Sequence, residues 1–177
     1  MVRCVLLPLV VACSLVGSDE PHKHVTATAK NDAAAKMLAR LKSLAGEWQV
    51  VNGADEQNGK TLVSYRVTAG GSAVVEVIFP DSDMEMISVY HRDGKDLVMT
   101  HYCMMANQPR MRAQANDDVS RLVFQFTGGT NLDPAKDPHI HGGVIEFVDA
   151  DHIRSEWDYY AGGKLAEKHS FQLERKR

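Results

Sequence analysis

Cysteine is scarce where it could brace a fold. Of three in the chain, Cys4 and Cys13 lie near the start and Cys103 stands alone in the rest. Once the leading segment is set aside, no intramolecular disulfide is available and stability must come from a core. An excess of one charge is lacking too: 20 basic residues face 23 acidic ones, for a net charge of -3. That balance excludes the basic field a nucleic-acid surface needs, and the basic residues ending the chain form only a short solvated tail. There is no Gly-x-Ser-x-Gly, no His-Glu-x-x-His and no phosphate-cradling glycine loop, so the commonest signatures of serine hydrolases, zinc peptidases and nucleotide-binding proteins are absent. The apolar stretch that runs raggedly from Val5 to Val16 is too short to span a bilayer.

What is present divides the chain in three. Residues 1–18 carry one positive charge at Arg3, then the apolar stretch, then Gly17 and Ser18, the pattern of a secretory signal peptide. Within it Val10-Val11-Ala12-Cys13 resembles a lipoprotein lipobox, in which Cys13 would be lipidated. Either reading exports the chain, to the periplasm, the medium or a lipid anchor, and that anchor would be its one membrane contact. Losing Arg3 moves the net charge from -3 to -4. Residues 19–30 are polar and aperiodic, a flexible tether whose His22 and His24 are read as solvated. Residues 31–177 form one domain.

That domain begins with a helix. In "NDAAAKMLARLKSLAG", Asn31 or Asp32 is the N-cap, Met37, Leu38, Leu41 and Leu44 recur at spacings of three and four, and Gly46 is the stop. Then come segments that are β-branched, aromatic or alternating: 47–52, 61–69, 72–79, 84–92, 96–103, 109–115, 120–127, 143–149, 152–160 and 168–174. Tight-turn signals such as "RDGK" and "AGGK" separate them. About ten short strands with no second helical section predict an all-β, antiparallel up-and-down barrel that closes to remove its edges. Residues 128–141, "GGTNLDPAKDPHIH", read as a long loop at the barrel mouth.

Alternation sorts side chains by face. In 152–160 it turns Ile153, Ser155, Trp157 and Tyr159 inward, and in 168–174 it turns His169, Phe171 and Leu173 inward. The 96–103 strand has two mixed faces; with Leu97 and Met99 inside, His101 and Cys103 also face the interior. Arg110 and Arg112 are then either solvent-facing or head-group anchors for an acidic ligand, the second requiring a partner carboxylate such as Glu76. His139 and His141 are spaced to share a side of an extended chain. With His101 and Cys103 they could hold zinc or copper if the long loop folds over the mouth. Cys103 beside a histidine would alternatively be a nucleophile, although a lone strand cysteine is ordinarily a small buried hydrophobe. Methionines 84, 86, 99, 104, 105 and 111 either pack the core or line a pocket for apolar ligands.

Gly46 and Trp48 in "LAGEWQV" form a Gly-x-Trp at the start of the first strand, which resembles the calycin signature of lipocalins and fatty-acid-binding proteins. That resemblance implies a tryptophan closing one barrel end under an arginine of the last strand, here Arg175. The segments "YRVTAGGSAVVEVIFP", "MISVYHRDGKDLVMTHYCMMANQPRM" and "GGTNLDPAKDPHIH" are similar to an uncharacterised group of bacterial lipocalin-like proteins, over residues 44–174. A more distant likeness to nitrobindin, a haem barrel, implies an axial role for His169 in "EKHSFQL". The expectation is therefore a barrel that binds a small apolar or amphipathic molecule, lined by Met99, His101, Trp157, Tyr159, His169 and Phe171, with Arg110 or Arg112 as anchors. A haem or metal barrel using His169, or His101 with His139 and His141, and a hydrolase or isomerase built in the same cavity, are the alternatives. The cofactor is left open.

Overall fold

The computed structural model describes residues 32–51, 59–116 and 118–177. The expected signal segment at 1–18 with Cys13, and the tether with His22 and His24, lie outside the described residues. Within them the chain forms a helix, α1 (Ala33–Lys42), and ten strands: β1 (Gly46–Val50), β2 (Thr61–Thr68), β3 (Ala73–Ile78), β4 (Met86–Asp93), β5 (Asp96–Tyr102), β6 (Gln108–Ala113), β7 (Arg121–Thr130), β8 (His139–Phe147), β9 (His152–Ala161) and β10 (Lys164–Arg175). Each strand pairs antiparallel with its sequence neighbours, and β1 pairs with β10 through Trp48 opposite Arg175. The result is the closed antiparallel ten-strand barrel that the run of short strands predicts.

The helix closes one end. Asp32 caps it by accepting from the Ala35 amide, and Asp32 also pairs with Arg92 at the end of β4. Its apolar stripe of Met37, Leu38 and Leu41 is buried with Trp48, Leu97 and Leu173. Trp48 is fully buried and its indole N–H donates to the Leu44 carbonyl at 2.7 Å. Above its ring lies the Arg175 guanidinium, 4.5 Å from the centroid, as the calycin resemblance implies. The same guanidinium donates to the carbonyls of Ser43 and Ala45, both at 2.8 Å, so it satisfies orphan carbonyls at the helix end as well as stacking on the ring. Gly46 makes that approach feasible: it has φ +124, and a Cβ there would stand 3.3 Å from Arg175 Nη1.

The stretch expected to be a long loop at 128–141 is strand at both ends. After a bulge at Arg110/Met111, Gly128–Thr130 continue β7 along β6, and His139–His141 begin β8 opposite Tyr160 and Tyr159. Only residues 131–138 connect them, because both flanks find ladder partners that use their backbone hydrogen bonds.

Candidate functional site

The barrel end away from α1 holds a cavity of about 230 Å³. Its walls come from the mouth-side ends of β3, β4 and β5, the turn 103–105, Ile140, and the middle of β9 and β10. Met99, His101, Trp157, Tyr159, His169 and Phe171 all line it, whereas Arg110 and Arg112 do not. In β6 the buried positions are Pro109, Met111 and Ala113, so the alternation puts both arginines on the exposed outer face, and Arg112 lies 3.3 Å from Asp96. The head-group anchor role expected for them is thereby corrected: solvation outside costs nothing, while an inward guanidinium would need a buried counter-charge.

Trp157 is positioned by a glycine opposite it. A Cβ on Gly143 would fall 2.1 Å from the indole ring, so only glycine lets the ring lie flat on β8. The indole stacks on Phe124 at 6.1 Å, itself 5.6 Å from Tyr90. Two turn residues at the mouth, Phe79 (φ +52) and Ala106 (φ +59), hold left-handed backbone that non-glycine residues rarely adopt.

Adjoining the apolar cavity is a buried polar chain that sequence reasoning missed as a unit. Tyr65 and Tyr90 each donate to one oxygen of the Glu76 carboxyl at 2.7 Å. Burial pushes the Glu76 pKa up, and the hydroxyls of Tyr90, Tyr65 and Ser88 bonded to it pull the other way. Burial first, then the Glu76 charge, raises both tyrosines well above their ordinary range, so they remain donors. Ser88 Oγ lies 3.0 Å from His101 Nδ1. A serine has one proton, and the Glu76 carboxylate is the stronger acceptor for it. Ser88 therefore donates to Glu76 and accepts from His101 Nδ1–H, which leaves Nε2 of His101 as a bare lone pair. That Nε2 is buried and has no hydrogen-bond partner. His101 is 4% exposed, and burial alone lowers its pKa to about 4, so the ring is neutral at pH 7. The signal was present in the sequence: Glu76 is in phase with Val74 in β3, and Ser88 with Tyr90 in β4.

The histidines expected to join in a metal site separate. His139 pairs with Tyr160 and faces away from the cavity-lining Ile140–Tyr159 pair, so it is not on the His101 side of the wall. His139 Nδ1 contacts the Asp137 carbonyl at 2.8 Å and its Nε2 contacts His141 Nδ1 at 2.9 Å. A carbonyl only accepts, so neutral His139 carries its proton on Nδ1 and accepts from His141 through Nε2. The pair closes on itself between Phe126 and Tyr160, whose ring lies 4.0 Å from that of His141. Burial, then His139, lowers the His141 pKa. Among the described residues no three His, Cys, Asp or Glu side chains gather to hold a metal ion.

His169 lines the cavity from β10, with its ring 5.8 Å from that of Tyr159 and Nδ1 3.7 Å from Glu167. In the ring of ten strands β5 and β10 stand opposite each other, so His101 and His169 face across the interior. Cys103 is a free, half-buried thiol at the mouth, and among the described residues no histidine hydrogen-bonds it as a nucleophile's base would. No family model matches this chain, and no curated protein matches it.

Proposed function

We propose that this protein is a non-enzymatic binding barrel that holds one small, largely apolar molecule carrying a single hydrogen-bond donor. The observation that carries this reading is the unpaired Nε2 of His101 in a cavity otherwise walled by aromatic and aliphatic side chains. A buried acceptor without a partner costs about 1–3 kcal/mol, and a guest hydroxyl or N–H would recover it. The volume of about 230 Å³ lies below the roughly 300–1,000 Å³ of drug-sized pockets, which favours a guest of one or two rings over haem. We also read the chain as exported under residues 1–18, with the mouth open to the periplasm or medium, and as having no nucleic-acid partner.

Matched probes test the reading. 1-Naphthol and naphthalene differ by one hydroxyl, and Trp157 in the cavity wall reports on either by fluorescence. Naphthol should bind at least roughly tenfold more tightly, as expected when a site's buried polar group is left unpaired by the lesser ligand. His101→Phe should erase the difference while still binding naphthalene. Failure of both probes to bind would overturn the proposal, and a Soret band in the purified protein would replace it with a haem reading.

A further inference from the structure

The cavity mouth is chemically unusual in its sulfur. Four of the eight methionines in the chain, Met86, Met99, Met104 and Met105, line this one cavity together with Cys103 and His101. Met99 is 1% exposed and packs as core, but Met104 and Met105 are 54% and 45% exposed in the turn that follows β5. Side chains so open are not held there by close packing. On β5 and just beyond it, His101 and Cys103 share a face two residues apart, with the unpartnered Nε2 on the first and a free thiol on the second. Hard ligands are missing from the set: the lining contains no Asp and no Lys, and its neighbouring carboxylate, Glu76, is engaged by two tyrosines.

We propose that this end of the cavity binds one soft monovalent metal ion, Cu(I), through His101 Nε2, the Cys103 thiolate and thioethers from Met104, Met105 or Met86. Imidazole, thiolate and thioether donors together select Cu(I), which accepts few ligands and soft ones. Zinc requires about four ligands drawn from His, Cys and carboxylates, and this end of the cavity offers two, His101 and Cys103. On binding, Cys103 forms its sulfur–metal bond and releases its proton to solvent; the copper stays Cu(I) and nothing is oxidised or reduced. The inference shares the His101 Nε2 lone pair with the organic-ligand reading, so the two guests exclude each other at that atom, and it adds the sulfur donors at the mouth, which that reading does not use. The two failures are told apart by the sulfur variants: Cys103→Ser tests the copper reading alone, and the naphthol titration is run on metal-free protein.

The test uses the full chain under anaerobic, reducing conditions, with Cu(I) buffered by a chromogenic chelator and Ag(I) as a redox-inert analogue. The protein should withdraw one Cu(I) per chain, ignore Zn(II), and show a sulfur-dominated first shell by X-ray absorption. Met104→Leu/Met105→Leu keeps volume and fold while removing two thioethers, and should weaken Cu(I) by at least about tenfold. Cys103→Ser should do the same, and His101→Phe should remove the nitrogen from the first shell. Two results overturn the proposal: no withdrawal of Cu(I) by the wild-type chain, or withdrawal that the double leucine variant and Cys103→Ser retain in full. The second would assign the copper to Cys4, Cys13, His22 or His24 instead.

Discussion

His101 is a neutral imidazole held where water does not reach it, and that has a consequence for stability in acid. Its pKa falls from 6.5 to about 4 on folding because of burial. As pH drops below about 6.5 the unfolded chain takes up the proton first, so stability is complete above that value and drains until about pH 4. A shift of that size corresponds to roughly 3 kcal/mol. Glu76 works against it. Its folded pKa is raised above 4.5, so the fold gains from that carboxyl as pH falls toward 4.5, and the observed slope should be smaller than the His101 share alone. Urea midpoints of chelator-treated protein at pH 7 and pH 5 should show a clear loss at the lower pH, and His101→Phe should abolish most of it. An equal loss in the variant would remove His101 as the cause. At this scale the sequence was informative wherever alternation was clean, as in Ser155, Trp157, Tyr159, His169 and Phe171, whose facing follows from period two. It was less so for Arg110 and Arg112, although Met111 between them already marked the inward phase. The bond from Ser88 to His101 follows from the β4–β5 register that the tight turn in "RDGK" sets, but only once the two strands are paired around it and not from either strand's own alternation.

Among the elements, the junction of α1, β1 and β10 does the most for the closed end. The Arg175 guanidinium bonds the carbonyls of Ser43, Ala45 and Ala150 and covers Trp48. Replacing it with alanine should destabilise the protein by roughly 2–3 kcal/mol, because the charge-assisted hydrogen bonds and the stacking on the indole disappear together. Arg175→Lys should recover less than half of that, since an ammonium cannot fork to several carbonyls while lying flat on an indole. Chemical denaturation of the two variants decides the matter; a lysine variant as stable as wild type would mean that charge alone matters here. This junction could be anticipated because Gly46, Trp48 and Arg175 form a local signature at the two ends of the chain's strand run. The start of β8 could not. "DPHIH" has turn residues before it and histidines within it, and only its pairing to Tyr159 and Tyr160, with a bulge between Ile140 and Gly142, makes it strand. Taking those residues as loop also gave the histidine pair a freedom to reach the mouth that the ladder removes.

The whole molecule has two unlike ends. One is sealed by α1, Trp48 and Arg175, and the other is rimmed by Phe79 and three methionines around a cavity. Between them β5 runs 7 residues, about 20 Å at roughly 3.3 Å per residue. Sites that far apart without shared partners contribute independently, so stability and binding should be separable by choice of end. Leu41 is fully buried beneath the helix, and Leu41→Ala should cost about 2–5 kcal/mol. Naphthol affinity should stay unchanged under conditions where the variant is folded. Met104→Ser/Met105→Ser changes two half-exposed side chains and should leave the unfolding midpoint within about 0.5 kcal/mol per site. Its cost appears in binding instead: losing about 1 kcal/mol of apolar burial at the mouth corresponds to roughly a fivefold weaker naphthol complex. Denaturation and fluorescence titration on the same two variants give four numbers. If Leu41→Ala weakens naphthol binding as much as the mouth variant does, the helix and the cavity form one cooperative unit, and binding must be sought in motions of the whole barrel and not in its open end.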